Sequence, residues 1–144
     1  MIEQDTIRLL RECDSGVKMG ISSIEDVIDR IQQDSMREIL ARCKQEHAEL
    51  HKKIQARLEK FQDEGKDPNP IIKGMSWMKT NFKMGIKESD KTAASLMTDG
   101  CNMGVKSLNK YLNQYKAADE HSKDITKRLI HLEERLAIDV RQYL

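Results

Sequence analysis

The stretch IRLLRECDSGVKMGISSIEDVIDRI, residues 7–31, carries apolar side chains at Ile7, Leu10, Cys13, Val17, Ile21, Ile24, Ile28 and Ile31. Every step between them is three or four residues, which is the spacing of one helix face and not the alternation of a strand. A helix is therefore expected over about 3–32. Asp34-Ser35 breaks the stripe, and Ser35 with Glu38 reads as a capping box for a second helix. That helix, about 35–64, runs through Met36, Leu40, Cys43, His47, Leu50, Ile54, Leu58 and Phe61 to Gly65, a natural stop. Two prolines, Pro68 and Pro70, keep the next segment out of a helix interior. A third stripe, Met97, Cys101, Gly104, Leu108, Leu112 and Tyr115, predicts a helix over about 90–116. The fourth, Ile125, Leu129, Leu132, Leu136, Val140 and Tyr143, predicts one over about 120–143.

Such helices cannot stand alone in water and must lay their stripes against one another. The fold class is thus all-α, a four-helix bundle forming one domain over 1–144. Helices 1 and 2 are joined tightly, as are 3 and 4, so each pair forms an antiparallel hairpin. The crossover, about 65–89, is long enough to run the length of the bundle, so helix 3 is expected to start where helix 2 began. Within it, Ile71, Met75, Met78 and Phe82 form one face of a short connector helix, with Lys73, Lys79, Lys83 and Lys87 around it and Trp77 between. A basic amphipathic piece of this kind can dock on an acidic membrane, but packing across the bundle is the plainer reading.

Composition removes several function classes. The chain has 144 residues, 34% of them charged and 4% aromatic, which suits long helices and not a β-sandwich. Twenty-five Lys and Arg against 24 Asp and Glu leave a formal charge of +1, so no nucleic-acid partner is expected. No apolar run approaches the ~20 residues that span a bilayer, and residues 1–6 lack the basic and apolar parts of a secretory signal. Cys13, Cys43 and Cys101 are odd in number and widely spaced, which reads as reduced thiols in the cytoplasm.

Self-comparison is more informative. Gly16-Val-Lys-Met-Gly-Ile-Ser-Ser-Ile24 and Gly100-Cys-Asn-Met-Gly-Val-Lys-Ser-Leu108 both read Gly-x-x-Met-Gly-apolar-x-Ser-apolar, 84 residues apart. An acidic residue, Asp14 or Asp99, stands near each. The match suggests two hairpins descended from one duplicated unit. Each glycine inside a helix forgoes about 0.8–1 kcal/mol relative to alanine, so something must offset four of them. The expectation is a close crossing of helices 1 and 3 at Gly16, Gly20, Gly100 and Gly104, with Met19 and Met103 filling the gaps beside it. The alternative is that the glycines make room for a ligand or a partner helix.

With the crossover, the repeated hairpin, Trp77-Met-Lys79 and Met103-Gly-Val-Lys-Ser107, the chain resembles bacterial ferritin-like proteins of unknown function, of the kind seen in Firmicutes. The resemblance implies a ferritin-like bundle and no established activity. Di-iron members of that fold use Glu-x-x-His pairs, and here no glutamate is followed three residues later by histidine. No glutamate falls in either repeat, and Glu133-Glu134-Arg135 reads as a solvated face.

The remaining candidates for chemistry are few. His47 shares an apolar stripe with Cys43, one turn away. Cys43, His47, Cys101 and Met103 are therefore candidate soft-metal ligands, weighed against a histidine simply hydrogen-bonded in the core. His47 and His51 have the i,i+4 spacing of zinc ligands without an HExxH motif. No nucleophile–base pair or phosphate-binding loop is present, so no catalytic residue is assigned and no cofactor is expected. The leading expectation is a non-catalytic interaction or structural module whose partner is another protein or a second copy of the chain, a homodimer being the simplest form. The alternative is a metal- or cofactor-binding bundle.

Overall fold

Each of the four stripes folds as a helix in the computed structural model, which describes residues 2–68 and 89–144. The elements are α1 (Ile2–Val27), α2 (Asp34–Lys60), α3 (Ser89–Gln114) and α4 (Glu120–Val140). Short 3-10 turns, Ile28–Arg30 and Arg141–Tyr143, extend α1 and α4. The crossover face of Ile71, Met75, Met78 and Phe82, its lysines and Trp77 lie outside the described residues. No described helix is long and apolar enough to cross a membrane.

The buried face of α1 follows its stripe through Leu10, Cys13, Val17 and Ile24, and adds Leu9 and Val27. That of α2 runs Met36, Leu40, Cys43, His47, Leu50, Ile54 and Leu58, as the spacing predicts. Leu9, Leu10, Leu40, Ile54 and Leu129 are wholly buried, each removing apolar surface worth about 2 kcal/mol from water. The core forms two clusters. One gathers Ile24, Val27, Met36, Leu40, Ala93, Met97, Leu136 and Val140. The other gathers Leu10, Val17, Leu50, Ile54, Leu108, Ile125 and Leu129 at the opposite end of the bundle.

Those clusters fix the topology. α2 and α3 both begin at the Met36–Ala93 end, so they run parallel, and α2 ends at the opposite end of the bundle from the start of α3. The chain after α2 starts back early: Lys66 Nζ reaches Glu12 at 2.6 Å, and Asp67 accepts a hydrogen bond from Lys18 at 3.1 Å. At the far end, the Asp90 carboxylate accepts hydrogen bonds from the amides of Gln32 and Gln33 at 2.7 and 2.9 Å. A carboxylate at the start of α3 thus covers free amides at the start of α2, where Gln33 offers no side-chain cap.

The Ser35–Glu38 capping box expected there does not form, because α2 already begins at Asp34. Ser35 instead shares a 2.5 Å hydrogen bond with the Tyr143 hydroxyl. Gly65 does not stop α2 either. The helix ends at Lys60, where Gln62 takes a left-handed φ of 56°, the Gln62 amide bonds Glu59 O and the Asp63 amide bonds Leu58 O, both at 3.0 Å. This is a Schellman closure with glutamine in the usual glycine place. α4 starts on a side-chain cap, Asp119 accepting from the Ser122 amide at 2.8 Å.

Candidate functional site

Between the two apolar clusters lies one layer of different composition. On α1, Gly20 falls between Val17 and Ile24. On α2, His47 falls between Cys43 and Leu50. On α3, Gly104 separates Cys101 from Leu108, and on α4 Glu133 separates Leu129 from Leu136. Two glycines and a histidine–glutamate pair therefore meet at mid-height.

The pair is well defined. His47 is 1% exposed. Its Nδ1 lies 2.8 Å from the Cys43 carbonyl oxygen, which can only accept, so Nδ1 carries a hydrogen. Its Nε2 lies 3.1 Å from Glu133 Oε1. Two lone pairs do not face each other at that distance, so a proton lies between the ring and the carboxylate. Burial works against a charged ring, but the hydrogen bonds to Cys43 and Glu133 and the adjacent negative charge outweigh it, pushing His47 up to about 10.

Beside this layer, between α1 and α3, is a cavity of about 280 Å³ with a mostly apolar wall. The repeat lines it from both sides: Gly16, Met19, Gly20, Ser23 and Ile24 from α1, and their counterparts Gly100, Met103, Gly104, Ser107 and Leu108 from α3. Of the motif's matched positions, only the apolar one following the second glycine, Ile21 and Val105, is absent from the wall. Met103, 61% exposed, stands at the rim. Glu12, Ser15 and Tyr111 close one end. Burial and the Glu12 charge push the Tyr111 hydroxyl up.

At Gly16, Gly20 and Gly104 the atoms nearest an added Cβ are side chains, not the backbone of the helix opposite. A Cβ on Gly20 would stand 2.8 Å from His47 Cδ2 and Nε2, so that glycine seats the imidazole of α2. A Cβ on Gly16 would meet Leu129 of α4 at 3.6 Å, and one on Gly104 would meet Glu133 at 3.6 Å. The nearest neighbours are side chains of α2 and α4, while α1 and α3 face each other across the cavity. Gly20 and Gly104, equivalent in the repeat, stand on either side of the Glu133 carboxylate, with Oε1 nearer Gly20 and Oε2 nearer Gly104.

Of the metal-ligand candidates, Cys43 and His47 do come together, with Sγ 3.5 Å from Nδ1. Cys101 is buried, and burial with the Glu133 charge pushes its thiol up. Both His47 nitrogens are engaged, and Met103 sits at the exposed rim. Among the described residues, no group of three or more His, Cys, Asp or Glu side chains is placed to hold a metal ion. His51 points away from His47, to Asp14 Oδ1 at 3.0 Å. Cys13 bonds Thr126 Oγ1 at 3.1 Å and is pushed up to about 12 by burial, so it is an inert core thiol.

Sequence reasoning missed Glu133 by assigning it to a solvated face. The signal was present: it lies four residues after Leu129 and three before Leu136, on the buried stripe of α4. Compared with known proteins, the chain matches no family model, no curated protein and no solved structure.

Proposed function

We propose that this chain is a non-catalytic, ligand-binding four-helix bundle whose central cavity holds one small, largely apolar molecule. The supporting observation is the turning of both repeat copies toward one space, matched glycines, methionines and serines included. Gly20 is accounted for by the imidazole it seats, and the other glycines of the wall, which also cost helix stability, are accounted for when the volume they leave is used. Methionines at the wall suit a site that must adapt to an irregular ligand. In this reading the molecule is a ferritin-like protein of the bacterial cytoplasm, built by duplication of a helical hairpin. Binding within the bundle thereby takes precedence over association with another protein as the leading reading.

Isothermal titration with 1-octanol tests it. Saturable 1:1 binding, accompanied by a rise in melting temperature and abolished in Gly104→Leu, is the expected result. Light scattering on the same samples examines the competing occupant. A dimer that Met103→Glu dissociates, together with no octanol binding, would assign the groove to a second copy and overturn the ligand reading.

A further inference from the structure

The polar groups of the cavity restrict what its occupant can carry. Among the described residues of its wall there are two carboxylates, Glu12 and Glu133, one imidazole, His47, and no lysine or arginine. Glu12 is neutralised from outside the wall by Lys66 Nζ at 2.6 Å. Glu133 is held by His47 through Oε1, and its Oε2 lies 3.8 Å from where a Cβ on Gly104 would stand, at the cavity wall. Among the described residues of the wall, the one group that carries a positive charge, His47, is paired with Glu133, while that carboxylate keeps spare lone pairs toward the space. An anionic head group would be desolvated beside two carboxylates, with serine hydroxyls but no unpaired positive charge among the described residues to meet it. A hydroxyl or amine would donate to Glu133 and leave its apolar body against Met19, Ile24, Met97 and Leu108.

From this arrangement we infer that the cavity selects amphiphiles with a hydrogen-bond-donating, neutral or cationic head group, and rejects carboxylates. The inference rests on the ligand-binding reading above and specifies its chemistry. Serines 23 and 107, paired by the repeat on opposite walls, supply hydroxyls that can either donate or accept, so they do not alter the preference set by Glu133.

A matched series of similar chain length separates the possibilities: 1-octanol, 1-methoxyheptane, octylamine and octanoate, each titrated calorimetrically into the full chain at neutral pH. Octanol and octylamine should bind about tenfold or more tighter than 1-methoxyheptane, which has the same size and no donor. Octanoate should be weaker than octanol by at least a similar factor. In Glu133→Gln the gain of octylamine over 1-methoxyheptane should shrink, while octanol, still able to donate to the amide oxygen, is retained. Equal affinity for octanol and 1-methoxyheptane would overturn the head-group inference and leave the cavity reading standing. Tightest binding by octanoate would overturn it in the same way. If none of the four binds, the ligand-binding reading itself fails.

Discussion

Gly20 and Gly104 hold the same place in the repeat and face different neighbours, and the difference is measurable. A methyl group at Gly20 would sit 2.8 Å from the His47 ring, which is fixed at both nitrogens and cannot retreat. Gly20→Ala should therefore destabilise by about 1–3 kcal/mol through overpacking, despite alanine's better helix propensity. At Gly104 the nearest atom is 3.6 Å away, an ordinary contact, so Gly104→Ala should raise stability by up to about 1 kcal/mol. Urea unfolding of the two variants checks both signs, and equal effects would refute the assignment. The His47 proton makes a second prediction. Its folded-state pKa of about 10 stands above the ordinary 6.5, so the folded chain holds that proton while the unfolded chain releases it. The resulting stability is complete below about pH 6.5 and is lost as pH rises toward 10. The stability difference between the native chain and His47→Gln should shrink across that window. A difference constant from pH 6 to 10 would mean the ring is neutral throughout.

At the scale of elements, the turn after α2 is held by a buried carboxylate of α1. Asp14, 1% exposed, accepts from His51 Nε2 at 3.0 Å, from the Lys66 amide at 3.0 Å and from Lys18 Nζ at 2.7 Å. Gly65, with φ of 87°, passes so close that a Cβ there would lie 2.3 Å from Asp14 Oδ2. Asp14→Ala should cost about 2–3 kcal/mol, because it takes the acceptor from His51 Nε2 and from the Lys66 amide at once, while Lys18 keeps Asp67. Gly65→Ala should be destabilising on two grounds, its left-handed backbone and the clash. Thermal melts would show both, and a Gly65→Ala variant as stable as the parent would remove the clasp. Neither contact is legible in the sequence. The stripes were readable because each helix must bury one face whatever its partner. The ends were not, because they are settled by residues distant in the chain: Asp90 covers the start of α2, and Asp14 shapes the turn beyond its end. The same reasoning divides the site. The repeat was visible, but what opposes a glycine depends on how neighbouring helices are rotated, so His47 and Glu133 could not be placed against it.

At the scale of the whole molecule, the described helices form two apolar clusters separated by a polar layer and a cavity. A buried histidine–glutamate pair must overcome the desolvation of both groups, and well-packed apolar replacements of similar size are often neutral or stabilising by about 1–4 kcal/mol. Removing one partner is different, since it leaves the other buried and unmatched. His47→Leu and Glu133→Leu should each lower stability, by about 3 kcal/mol for the more deeply buried site. The double variant should recover to the parent's stability or exceed it, because Cys43, Leu50, Leu129 and Leu136 would then adjoin new apolar neighbours and the clusters would merge. It should also lose the preference for octanol over 1-methoxyheptane, having no carboxylate to receive a donor. Unfolding midpoints for the four proteins, with the two titrations repeated on the double variant, decide the matter. Recovery of stability with loss of selectivity is what a layer kept for binding predicts. A double variant as unstable as the sum of the singles would mean that the pair holds the bundle together, and the layer would then need no ligand to account for it.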